Sequence, residues 1–268
     1  NFFGNLFTGK HGRNGVETNE PFQPDYTELD DFLEGLGKLS DESRDIIEKP
    51  IVVVELELAL EKAANNKSPG LDGIPYELYK KTGEKVSETL VAVMNAQLER
   101  LKLMLSNTQG VTRLTPKTEP GVVPRVDQLR PITLLCCDYK LLTMILSNRM
   151  MRIMHEIILS GQLCSVTGKN IHFGTHNLLS SLIYMEERVE HAETFGFGTD
   201  RAGGGVLLSY DLFKAYDRVS IGYLVKVMRA MGFGDKIVSW ILMLHEGADT
   251  RFLLNFLTKP VKILISVR

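Results

Sequence analysis

The sequence predicts an α+β protein, rich in helix and carrying short antiparallel strands. Three observations predict it. Apolar residues recur at helical spacing in several long segments. Two strand-like runs, 111–117 and 129–135, lie about a dozen residues apart, as the arms of a hairpin with a long tip do. A second pair of short apolar runs stands at 250–256 and 261–267. The chain of 268 residues is 44% hydrophobic and 24% charged, the balance of a globular protein. No apolar run approaches the roughly 20 residues of a membrane-spanning helix.

Taken in order, residues 1–24 are rich in Gly, Asn, Pro and Thr and are expected to be extended or disordered. They belong to an N-terminal extension, 1–50, whose Asp25–Leu36 and Ser40–Ile47 read as short acidic helices. Asn1-Phe-Phe-Gly lacks an initiator Met and a basic leader, so the chain is expected to be cut from something longer. Residues 51–64 place Val53, Leu56, Leu60, Ala63 and Ala64 on one helical face. The stretch Lys67-Ser-Pro-Gly-Leu-Asp-Gly-Ile-Pro75 must turn tightly, because Pro presets φ and Gly accepts positive φ. A long helix is expected over 85–104, with Leu90, Met94, Leu98, Leu101 and Leu105 as its inner stripe.

Val111-Thr-Arg-Leu-Thr-Pro-Lys117 and Leu129-Arg-Pro-Ile-Thr-Leu-Leu135 are the hairpin arms, and Pro116 is expected to put the first at a sheet edge. Helices follow at 138–159 and 177–192, the second with Leu178, Leu179, Leu182 and Ile183 inward. Val206–Leu208, behind three glycines, reads as a buried strand ending near Asp211. Ser220 and Asp235 are expected to cap the last two helices.

Charge is uneven although the net is −2. Residues 1–66 hold fourteen acidic and six basic side chains; residues 100–152 hold nine basic and three acidic. A basic surface suits phosphates, and is equally what a solvated charged face looks like. The cysteines Cys136, Cys137 and Cys164 fit no zinc spacing and are expected reduced, as inside a cell. His172 and His176 are four apart without a third ligand, and the glycines of 196–205 do not form a dinucleotide fingerprint. Asp211 at a strand end could cap the next turn or hold a hard divalent cation.

One segment carries more than local chemistry. Ser209-Tyr-Asp211-Leu-Phe-Lys214-Ala-Tyr216-Asp217-Arg-Val219 resembles motif A of reverse transcriptases of non-LTR (LINE-type) retrotransposons. Three upstream segments resemble the same family in the same order. They are the Lys67–Pro75 stretch, the Pro116-Lys117 and Arg130-Pro-Ile hairpin, and Gln162 to Gly168-Lys169-x-Ile171, where Lys169 stands in place of the usual Arg.

The resemblance covers about residues 50–268 and implies the right-hand polymerase fold. Residues 51–175 would be fingers and 176–268 a partial palm with motif A; the thumb and second half of the palm would be absent. It implies RNA-directed DNA synthesis by two-metal nucleotidyl transfer with Mg²⁺. Asp211 would be the catalytic metal ligand. Lys117, Arg130, Leu212, Phe213 and Tyr216 would bind the deoxynucleoside triphosphate, with Tyr216 as the steric gate against ribose. Lys67 and Lys169 would contact nucleic acid. The implied partners are an RNA template, a DNA primer and the dNTP, with no membrane and with oligomeric state open. The intact protein would be intracellular, in nucleus or cytoplasm.

No aromatic-x-Asp-Asp occurs, Asp249 is expected to be a lone turn aspartate, and the chain ends Ser266-Val-Arg268. Alone, therefore, it is expected to polymerise nothing. The alternative expectation is a domesticated, non-catalytic remnant that binds nucleic acid or serves as a scaffold.

Overall fold

Four strands form one mixed sheet in a computed structural model that describes residues 29–117, 119, 121–194, 207–212 and 219–263. The hairpin is there: β1 (Gln109–Pro116) pairs antiparallel with β2 (Leu129–Leu134), Val111 opposite Leu134 and Pro116 opposite Leu129. β3 (Asp249–Leu253) pairs antiparallel with β4 (Val261–Lys262). The two pairs are joined by a parallel ladder between β1 and β3, from Gln109 opposite Asp249 to Arg113 opposite Leu253. The order is β2-β1-β3-β4.

β1 is therefore central, not an edge strand as Pro116 suggested. The proline is tolerated because the β3 ladder stops at Arg113, three residues earlier. β2 is the edge, and it carries Pro131. One face of the sheet closes over Phe252, packed by Leu114, Leu129, Val261 and Ile263. On that face the hydroxyl of Thr112 meets those of Thr133 at 2.7 Å and Thr250 at 2.6 Å, which satisfies polar groups that burial would otherwise leave costly.

The helices before the sheet are α1 (Leu29–Glu34), α2 (Asp41–Ile47), α3 (Val53–Lys62), α4 (Tyr76–Lys81), α5 (Glu84–Arg100) and α6 (Leu105–Thr108). After β2 come α7 (Cys137–Ile157), α8 (Ile171–Thr194), α9 (Ile221–Ala230) and α10 (Asp235–His245). Ser220 caps α9, as expected, and Ser40 caps α2, each accepting from the amide three residues on. The expectation for residues 1–24 lies outside the described residues. The chain divides into two units, 1–150 with 214–268 and 151–213, the first boundary falling inside α7.

Several expectations are corrected. α5 ends at Arg100 because Leu101 adopts a left-handed conformation, φ 49°. The helical period is lost there, so Leu101 and Leu105 are exposed and the inner stripe is Val91, Met94 and Leu98. α10 is capped not by Asp235 but from a distance: the Glu48 carboxylate accepts from the amide of Ile237 at 3.0 Å. Gly234 makes room for it, since a Cβ there would lie 2.2 Å from Glu48 Oε1. In α8 the apolar Leu178, Leu179, Leu182 and Ile183 are exposed rather than inward. Residues 207–212 are not a buried strand; Leu207 and Leu208 are two-thirds exposed, and no described strand pairs with them. An unpaired strand leaves its amides and carbonyls without a ladder, and water then serves them.

A buried arginine organises the helical part of the first unit. Arg149 on α7, 6% exposed, forks onto both oxygens of Glu55 at 2.6 Å each. It also donates to the carbonyls of Ile47 at 3.2 Å, Pro50 at 2.9 Å and Lys49. Glu55 in turn accepts the amide of Val52, half of a capping box at the start of α3. Thus the α2–α3 connection, which leaves three carbonyls without helical partners, is closed by one guanidinium.

Candidate functional site

The hairpin sets the two cations expected to meet a triphosphate on one face. Thr115 lies opposite Arg130 in the register, and its hydroxyl donates to the Arg130 carbonyl at 3.1 Å. Beyond β1 the ladder continues by one bond, the Lys117 amide to the Gln128 carbonyl at 2.9 Å. Side chains alternate along a strand, so Lys117 and Arg130 project from the same face, away from the Phe252 cluster. Both are exposed, and neither has an ion-pair partner among the described residues. Two unneutralised cations, one a point charge and one a planar fork, can hold a polyphosphate.

Lys67 opens a loop whose glycines have identifiable work. Gly73 takes φ +70°, and Asp72 Oδ1 accepts the amide of Ile74 at 3.2 Å, so the Asp72–Ile74 turn is closed by its own side chain. A Cβ on Gly70 would lie 2.4 Å from the backbone nitrogen of Cys136. The loop is therefore docked on the chain just past β2. From α4, downstream of the loop, Lys80 donates back to the Ala63 carbonyl at 2.6 Å and Asn65 Oδ1 at 2.7 Å. Glu77 accepts the Asn66 amide, and that bond holds its carboxyl below the usual range. Lys67 itself is exposed.

The docked loop brings Asp72, Cys136 and Asp138 together, with ligand atoms within 4.8 Å of one another. The Asp138 carboxyl is pushed up by burial and by the Asp72 charge, while the Tyr139 amide at 2.7 Å opposes this. Asn107, its amide turned towards Asp138, lies 3.1 Å from both carboxylate oxygens. Burial pushes the Cys136 and Cys137 thiols up, which makes them poor nucleophiles. Burial also raises the Tyr76 hydroxyl to about 12 and Tyr79 further.

In the second unit the Lys169 ammonium donates to the Leu159 carbonyl at 2.6 Å, closing the loop between α7 and α8. Asp211 and Leu212 are exposed and belong to no helix or strand. Phe213 and Tyr216 lie outside the described residues. Asp211 belongs to no converging ligand set among the described residues. One exposed carboxylate does not make a two-ion clamp. Sequence reasoning missed that Arg113 and Arg251 share the face of Lys117 and Arg130. Strand alternation carried that signal for Arg113; for Arg251 nothing local did.

No protein-family model matches the chain. Over 243 residues, 90% of its length, it is 29% identical to the transposon TX1 uncharacterized 149 kDa protein of Xenopus laevis. The chain spans 17% of that protein's length. It is thus similar, nearly end to end, to part of a transposon protein. No described helix is long and apolar enough to cross a membrane.

Proposed function

We propose that the chain is the fingers and first half of the palm of a LINE-type retrotransposon reverse transcriptase. Its role there is to seat a deoxynucleoside triphosphate against template and primer. The observation that carries this is the pairing of Lys117 and Arg130 on one open hairpin face. Likeness to a transposon protein supports it, as do the four motif-like segments in family order. Lys117 supplies a movable point charge to the phosphates and Arg130 a fork that fits two oxygens. Asp211 contributes one metal-binding carboxylate and Tyr216 the selection against ribose. Lys67 and Lys169 approach the nucleic-acid backbone.

Calorimetric titration of this chain with dTTP tests the reading. A hydrogen bond to a charged group contributes roughly 1.5–3 kcal/mol, so Lys117→Ala or Arg130→Ala should each weaken Kd by roughly tenfold or more. Unaltered affinity in both variants defeats the assignment. The isolated chain, with one carboxylate of the expected set, should extend no primer with Mg²⁺; robust extension would overturn that.

A further inference from the structure

Lys117 and Arg130 are two members of a longer series. Counting along β1, Arg251 lies level with Val111, Arg113 follows, Arg130 lies level with Thr115, and Lys117 comes next. One cation therefore occurs at every second residue, moving from β3 across β1 to β2 and back. A two-residue step is about 6.7 Å, so the series runs about 20 Å. All four side chains leave the same face, opposite the Phe252 cluster.

Arg113, Arg130 and Lys117 are exposed, and none of the four has an ion-pair partner among the described residues. Arg251 is half-buried, and its Nε is a buried donor with no partner. Beside Arg113 in the same register row, Leu253 and Ile132 are 40% and 51% exposed, giving the row apolar shoulders. The acid among the strand residues of this face is Asp249, one step beyond Arg251 and opposite Lys262.

A triphosphate needs two of these cations. Unpaired cations left in a line at even spacing are matched by a chain of phosphates. We infer that Arg251, Arg113, Arg130 and Lys117 form a track for the phosphodiester backbone of a single nucleic-acid strand. This deepens the reading above and shares Lys117 and Arg130 with it; Arg113 and Arg251 are its own.

The test is anisotropy of a labelled oligouridylate of roughly ten nucleotides with the intact chain, titrated over a range of salt. Each phosphate contact adds about 0.7 to the slope of log K against log salt. Arg113→Gln, an exposed site, should lower that slope by about 0.7 and leave the melting temperature and dTTP affinity unchanged. Arg251→Gln should lower the slope equally, and exposed Lys85→Gln on α5 should not alter it. A deoxy-oligomer of the same length should bind with the same slope. An unchanged slope in Arg113→Gln, or no binding of the deoxy-oligomer, overturns the track. Neither result touches the triphosphate assignment, which the Lys117 and Arg130 titrations decide.

Discussion

Replacing Arg149 by Met should cost this protein more than any surface change. The guanidinium makes five hydrogen bonds, two to Glu55 and one each to the carbonyls of Ile47, Lys49 and Pro50. Met restores most of the volume but none of the donors. Three carbonyls and a carboxylate then lose their partner in a region where water reaches Arg149 poorly. Removing one partner of a buried pair costs about 3–5 kcal/mol. In a chain of this size that is a fall in Tm of roughly 6–20 °C. Arg149→Lys keeps the charge yet offers three donors and no fork, so it should recover part of the loss.

The readout is guanidinium unfolding followed by the fluorescence of Trp240. It is the sole tryptophan, buried, with its ring nitrogen donating to the Leu98 carbonyl at 3.2 Å. A loss under about 1 kcal/mol in Arg149→Met, the scale of an exposed ion pair, would refute the claim that this residue closes the α2–α3 connection.

Gly70→Ala drives a Cβ into the Cys136 backbone and should destabilise by about 1–3 kcal/mol; a denaturation midpoint equal to that of the parent would contradict the docked loop. The Asp138 carboxyl is raised by burial and then by Asp72. The folded state thus holds that proton more tightly than the unfolded chain. Stability from it is complete below the ordinary Asp value of about 3.9 and is lost as pH climbs through the raised folded value. Asp72→Asn keeps the bond to Ile74 and removes the like charge. It should raise the unfolding free energy slightly near neutral pH, by well under 1 kcal/mol, and have no effect in acid; a gain that persists in acid would exclude the charge explanation.

What was legible in the sequence was what local chemistry writes. The two Thr-bearing apolar runs 111–117 and 129–135, about a dozen residues apart, gave the hairpin, while Pro116 pointed to an edge position that β1 does not occupy. Ser220 gave one helix start. The glycines of 67–75 announced a turn but not its partner, because the Cys136 backbone is 66 residues on from Gly70. Arg149 read as one more member of a basic segment; nothing near it in sequence reveals carbonyls about 100 residues earlier. Leu178 and Ile183 show the opposite failure. Their spacing is that of a buried helical face, yet periodicity states only that a face is apolar, not that anything covers it. The same holds for Leu207 and Leu208, where apolar character suggested a strand that finds no described partner.

The parallel ladder between β1 and β3 fixes an order of events. Gly110 cannot meet Thr250 until 140 further residues have been made, and the second unit lies wholly within that interval. At roughly 5–20 residues per second, the nascent hairpin waits about 7–28 seconds with one edge of β1 open. Over that time Thr112 lacks the Thr250 hydroxyl and Leu114 lacks Phe252. During synthesis the hairpin is therefore a two-stranded ribbon, marginal by itself and open to pairing with other chains, and late residues rather than early ones decide when the sheet locks.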